Sequence, residues 1–110
     1  MMKIINKNEG PKVAYEETNT MVFLGDNELM LNMAKYQRDW PVHIDICSNR
    51  DKMLGIGTGE GLYYVAQFDV PAIAYTEPAT EEDVPTPIPL NMSDVTMTLW
   101  SLDNPAPVEN

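Results

Sequence analysis

His43, Asp45 and Cys47 alternate along Val42-His-Ile-Asp-Ile-Cys47, so an imidazole, a carboxylate and a thiol share one face of an expected strand. Val42, Ile44 and Ile46 take the other face. The three polar types are the raw material of a cysteine nucleophile or a metal site. Alternate residues of a strand stand about 6 to 7 Å apart, a spacing that sets the three side chains beyond direct hydrogen-bond reach. Three ligands from one strand also make a poor tetrahedral set. With one His and one Cys in the chain, no second pair completes a cluster. The expectation is a partly exposed sheet face with no catalytic residue, no metal and no cofactor.

Three further patterns invite a chemical reading. Gly55-Ile-Gly-Thr-Gly-Glu-Gly61 brings glycines close enough to let backbone amides approach an anion. It lacks the Gly-Lys-Ser/Thr of a P-loop and the G-x-G-x-x-G spacing of a dinucleotide loop, and a strand follows it rather than a helix, so it reads as a connection. Glu77, Glu81, Glu82 and Asp83 offer oxygen ligands without the spacing of an EF-hand, and read as a solvated acidic loop. In the same loop Pro85, Pro87 and Pro89 preset an extended segment that loses little entropy on docking to a partner. Tyr63 is the aromatic best placed for recognition, because alternation puts it with Val65, Gln67 and Asp69, opposite Tyr64 and Phe68. The other tyrosines and the two tryptophans are expected mainly in the core.

The elements that position these groups are mostly strands. Val42 to Cys47, Leu62 to Val70 and Val95 to Leu102 alternate with period two, and Thr20 to Leu24 is rich in β-branched and aromatic residues. Lys3 to Ile5 and Val13 to Glu17 are shorter extended segments, and Pro71 limits Ala72 to Thr76 to an edge. Leu29, Met33, Tyr36 and Trp40 share a helical face after an N-cap at Asp26, so 27–38 is expected as the one short helix. The alternative is a hairpin with Leu29, Leu31 and Met33 on a strand paired back to Thr20 to Leu24. The fold class expected is α+β: a β-rich, twisted, mainly antiparallel sheet with one short helix. Residues 1–102 form a single domain with a long acidic, proline-rich loop over 76–94, and 103–110 form a flexible C-terminal tail.

Composition narrows the function classes. The net charge is −10, and all seven basic residues precede residue 53. Residues 61–110 carry eight acids and no base, which disfavours direct binding to nucleic acid. No apolar run reaches the length of a membrane span, the start is polar, and a lone cysteine fits a reducing compartment, so the expectation is a soluble cytoplasmic protein. The start Met2-Lys-Ile-Ile-Asn-Lys7 and the phrases YYVAQFDVPAIAYTE and DVTMTLWSL resemble small uncharacterised proteins of Gram-positive gut bacteria and their mobile elements. That resemblance implies an accessory or phage-associated role and transfers no functional residue. The function expected is therefore a non-catalytic interaction protein whose acidic half engages a protein partner of basic character. The alternative is a small-molecule-binding domain with a pocket near Tyr63, His43 and the glycine loop.

Overall fold

The computed structural model describes residues 1–77, 80, 82, 84–103 and 106–108. Among these, nine strands follow in chain order: β1 (Lys3–Asn6), β2 (Tyr15–Thr18), β3 (Met21–Leu24), β4 (Leu29–Asn32), β5 (Val42–Ser48), β6 (Leu54–Ile56), β7 (Tyr63–Val70), β8 (Thr96–Leu99) and β9 (Ala106–Pro107). A one-turn helix, α1 (Met33–Tyr36), follows β4, and a short 3-10 turn spans Met92–Asp94. The larger sheet runs β1-β8-β7-β5-β6, with β9 joined to β7. Its pairs are antiparallel except β1 with β8, which is parallel. The smaller sheet is the antiparallel meander β2-β3-β4. The chain is thus α+β and β-rich, with mainly antiparallel pairing and one short helix.

The two sheets share one core. Val22, Leu24 and Leu31 of the meander, with Met33 of α1, belong to the same buried cluster as Ile44, Ile46, Phe68, Val70, Met97 and Leu99 of the larger sheet. Period-two alternation on each sheet supplies one apolar face, and neither could shed water alone. Among the described residues Phe68 is the only aromatic that is fully buried. The tyrosines and tryptophans expected in the core sit instead at its margin or outside it, because each carries a polar atom that needs a partner or water. Tyr36 packs against the core edge, and Trp40 is 61% exposed.

The stretch 27–38 is mostly not the expected helix. Gly25 and Asn27 both take positive φ, turning the chain so that β4 pairs back onto β3 with Leu29 opposite Leu24. Helical geometry begins only after Asn32, whose side-chain oxygen caps α1 by accepting from the Ala34 amide at 3.2 Å. One turn then suffices to seat Met33 in the core.

The described ends of the long loop are paired. Tyr75 bridges to Pro87, the Thr76 amide donates to the Thr86 carbonyl and the Ile88 amide to the Ala74 carbonyl, so residues 74–76 and 86–88 form a paired arm. Every described residue from Ala74 to Pro89 is exposed. Within the segment expected as a tail, Ala106 and Pro107 pair with Tyr64 and Tyr63, and the Val108 amide donates to the Leu62 carbonyl. β9 occupies the edge of β7 left open where β8 ends at Leu99, which satisfies backbone groups a free tail would leave to solvent.

Candidate functional site

The outer face of the larger sheet carries a polar chain centred on His43. Pairing of β5 with β7 sets His43 opposite Asp69 and Asp45 opposite Gln67. His43 Nδ1 meets Asp69 Oδ1 and His43 Nε2 meets Asp45 Oδ1, each at 2.7 Å. The spacing argument that placed His43 and Asp45 out of reach is overturned: the distance between alternate residues applies to the backbone, and two side chains leaning together along one face close it. Gln67 continues the chain, donating from Nε2 to Asp45 and accepting at Oε1 from Trp100 Nε1, both at 2.9 Å. Trp100 stacks on Tyr64 with ring centroids 5.0 Å apart, and Lys7 Nζ lies 5.6 Å from the Trp100 ring.

Each ring nitrogen faces a carboxylate, an arrangement that the protonated imidazole satisfies by donating twice. Among the described residues, no grouping of His, Cys, Asp and Glu is arranged to hold a metal ion. Cys47, expected on this face, is buried. The register of β5 with β7 shifts between Ile46 and Cys47, skipping Val65 as a bulge, and Cys47 falls opposite Tyr64. Burial, and then the nearby Asp45 carboxylate, push the thiol pKa up, which suppresses the nucleophilic thiolate.

The His43 clamp has a pH signature. The Asp69 hydrogen bond raises the pKa of His43 most, partial desolvation lowers it, and Asp45 raises it further, for a net rise above about 6.5. A group with a raised folded-state pKa contributes its full stability below its unfolded value and loses it as pH climbs through the folded value. Because the His43 and Asp69 side chains are 48% and 58% exposed, the contribution is that of surface pairs, about 0.2–1 kcal/mol each. The stability advantage of wild type over His43→Gln, measured by urea unfolding, is therefore expected to be full below about pH 6.5 and to shrink as pH rises through the raised folded-state value. Parallel profiles would show that the clamp contributes nothing.

A second site lies between the sheets. A cleft of about 570 Å³ opens between the β3–β4 turn, the β5–β6 turn, the start of β7 and the segment after β8. Val13, Val65 and Ser101 form a buried floor, Leu54 and Tyr63 half-buried walls, and Glu28, Arg50, Lys52 and Asp103 an exposed rim. The turn bearing Arg50 and Lys52 is held by Asn49, whose Oδ1 accepts from the Asp51 and Met53 amides at 2.9 and 3.0 Å. Lys52 takes φ +61 there. Among the described residues none of the four rim charges enters an ion pair.

No family model, curated protein or solved structure matches the chain.

Of the residues singled out from sequence, Tyr63 lines the cleft. The pocket expected near Tyr63, His43 and the glycine loop is corrected on two counts: His43 lies on the opposite face, and Gly55 to Gly61 are absent from the lining. The bulge at Val65 explains the first. It interrupts the alternation, so Tyr64 joins Gln67 and Trp100 on the outer face while Tyr63 and Val65 border the cleft. The glycine stretch is a connection whose first residues, Gly55 and Ile56, belong to β6. Glu77, Glu82, Pro85, Pro87 and Pro89 are exposed on the arm, away from the cleft. Glu81 and Asp83 lie outside the described residues. Sequence reasoning missed Arg50, Lys52, Glu28 and Asp103; the only signal was that Arg50 and Lys52 flank a turn beside two strong strands.

Proposed function

We propose that this chain is a non-catalytic domain that binds a small molecule in the cleft between its two sheets. The observation that carries the reading is a concave site with a largely apolar floor, Tyr63 and Leu54 in its walls and, among the described residues, unpaired charges at its rim. The volume falls within the range of about 300–1,000 Å³ usual for small-molecule pockets. The chain's single His, the usual base for a serine nucleophile, is held by two carboxylates on the other face, away from the Ser48 and Ser101 of the lining. No helix among the described residues is long and apolar enough to cross a membrane. A reducing, cytoplasmic setting suits the one free thiol, Cys47.

The test is a fragment titration followed through backbone amide shifts. Fragments that bind are expected to move the amides of Val13, Leu54, Tyr63 and Val65, and Ser48→Trp, which fills the cleft wall, is expected to abolish those shifts while leaving the melting temperature near wild type. Fragment hits that ignore Ser48→Trp would place binding elsewhere and sink the reading.

A second reading is favoured by the arm. Tyr75, Val84 and Ile88 are exposed there beside Glu77 and Glu82, and Tyr75 donates its hydroxyl hydrogen to Asp39, next to exposed Trp40. Apolar groups among carboxylates suit contact with a basic protein. An accessory role in a mobile element rests on the sequence resemblance alone. In the same amide experiment, a lysine-rich peptide that shifts only residues of the arm, and loses that effect at high salt, would favour this reading.

A further inference from the structure

The charges on the cleft rim say more about its ligand. We propose that the cleft takes a small zwitterion with an apolar body, of the kind exemplified by a short hydrophobic peptide, its anionic end held by Arg50 and Lys52 and its cationic end by Glu28 or Asp103. This inference rests on the cleft being the ligand site.

Opposite charges sharing one rim ordinarily pair with each other. Here Arg50 and Lys52 stand on the β5–β6 turn, Glu28 on the β3–β4 turn and Asp103 beyond β8, and none of them pairs among the described residues. Different elements carry the two signs and no ion pair joins them, which leaves each available to a ligand group of the other sign. The basic side is pre-organised, because Asn49 secures the turn through two backbone amides and its own backbone bonds to Met53 and Lys52.

Net charge selects among ligand classes. A simple anion must approach a chain of net charge −10 and would face Glu28 and Asp103 as well as the two cations. A simple cation would meet Arg50 and Lys52. A zwitterion carries no net charge to be repelled and matches both halves of the rim, while Val13, Leu54, Tyr63 and Val65 give its apolar body a place out of water.

The probe is the dipeptide L-phenylalanyl-L-leucine in four forms: free, N-acetylated, C-amidated and doubly capped, titrated into the full chain with amide shifts as readout. The free form is expected to bind about tenfold more tightly than either singly capped form, since each cap removes one charge-assisted contact. Arg50→Gln with Lys52→Gln should bring the free form down to the amidated one. Glu28→Gln with Asp103→Asn should bring it down to the acetylated one. All four positions are exposed, so both variants are expected to melt with wild type. Equal affinity for all four forms would overturn the zwitterion while leaving the cleft as a ligand site. Tighter binding of the acetylated form would overturn it in favour of an anion. If neutral fragments enter the cleft and none of the dipeptides does, the inference fails alone; if neither enters, it fails together with the cleft.

Discussion

Phe68→Ala should abolish cooperative folding or bring the protein close to that limit. Phe68 is fully buried on β7, the strand that pairs with β5 on one side and with β8 and β9 on the other. Its ring sits in the cluster that joins the two sheets, with Ile44 its cross-strand neighbour on β5 and Met97 on β8. Removing a buried phenylalanine side chain costs about 3–5 kcal/mol, from lost transfer energy plus the cavity left behind. A domain of this size has about 5–15 kcal/mol in total, so the loss is a large fraction of the whole. The measurement is urea unfolding followed by circular dichroism, with Phe68→Leu as the conservative partner. Phe68→Leu should keep a cooperative transition at a lower midpoint, since volume-conserving apolar swaps usually cost less than about 1.5 kcal/mol. A Phe68→Ala protein with an unchanged midpoint would mean that this ring does not join the two sheets.

The core was legible because half-buried strands write their burial into the chain with period two. Ile44 and Ile46, Phe68 and Val70, and Met97 and Leu99 were each assigned to an apolar face by alternation alone, and each is buried. Alternation fails where register changes. The bulge at Val65 makes neighbouring Val65 and Ala66 both buried and sends Tyr64 to the outer face, and no residue in Leu62 to Val70 announces an extra residue in the ladder. The stretch 27–38 failed for a different reason. Its apolar residues satisfy a helical spacing and a strand spacing at once, and long-range pairing with β3 decides the contest for Leu29 to Asn32.

The sites were harder still. His43 and Asp69 are 26 residues apart and meet only because β5 and β7 pair in one particular register. Five separate stretches bring the rim charges, walls and floor of the cleft together, with no motif in any one of them. Sequence-local reasoning finds groups that work through neighbours in the chain. Here the chemistry lies between elements: strand register creates the His43 clamp, and the approach of the two sheets creates the cleft.

Gly10→Ala tests that dependence at the wall of the cleft, and it is expected to lower stability and weaken whatever binds there. Gly10 has φ +127, a conformation that side chains other than glycine rarely adopt, and a residue forced into such a region costs about 1–3 kcal/mol. Sterics add to this. A Cβ at Gly10 would stand 2.3 Å from Ser101 Oγ and 3.1 Å from Ser101 Cβ. Ser101 cannot swing aside freely: it is buried, its amide donates to Asn8 Oδ1 at 2.6 Å, and its hydroxyl oxygen accepts from the Asp103 amide at 3.2 Å. The neighbouring Leu102 amide donates to the Pro11 carbonyl at 2.8 Å, so the turn before β2 and the segment after β8 are laced together as one wall. Pushing Ser101 away moves Leu102 and Asp103, which line the cleft, and leaves the outer-face clamp at His43 untouched. The double variant Gly10→Ala with Ser101→Gly removes the clash but not the backbone cost, and should recover only part of the lost stability. Thermal unfolding separates the two contributions, and amide shifts read the cleft. If Gly10→Ala melts with wild type and its cleft amides do not move, this wall is not built as the close approach of Gly10 and Ser101 requires, and the cleft loses the rigidity that a ligand site needs.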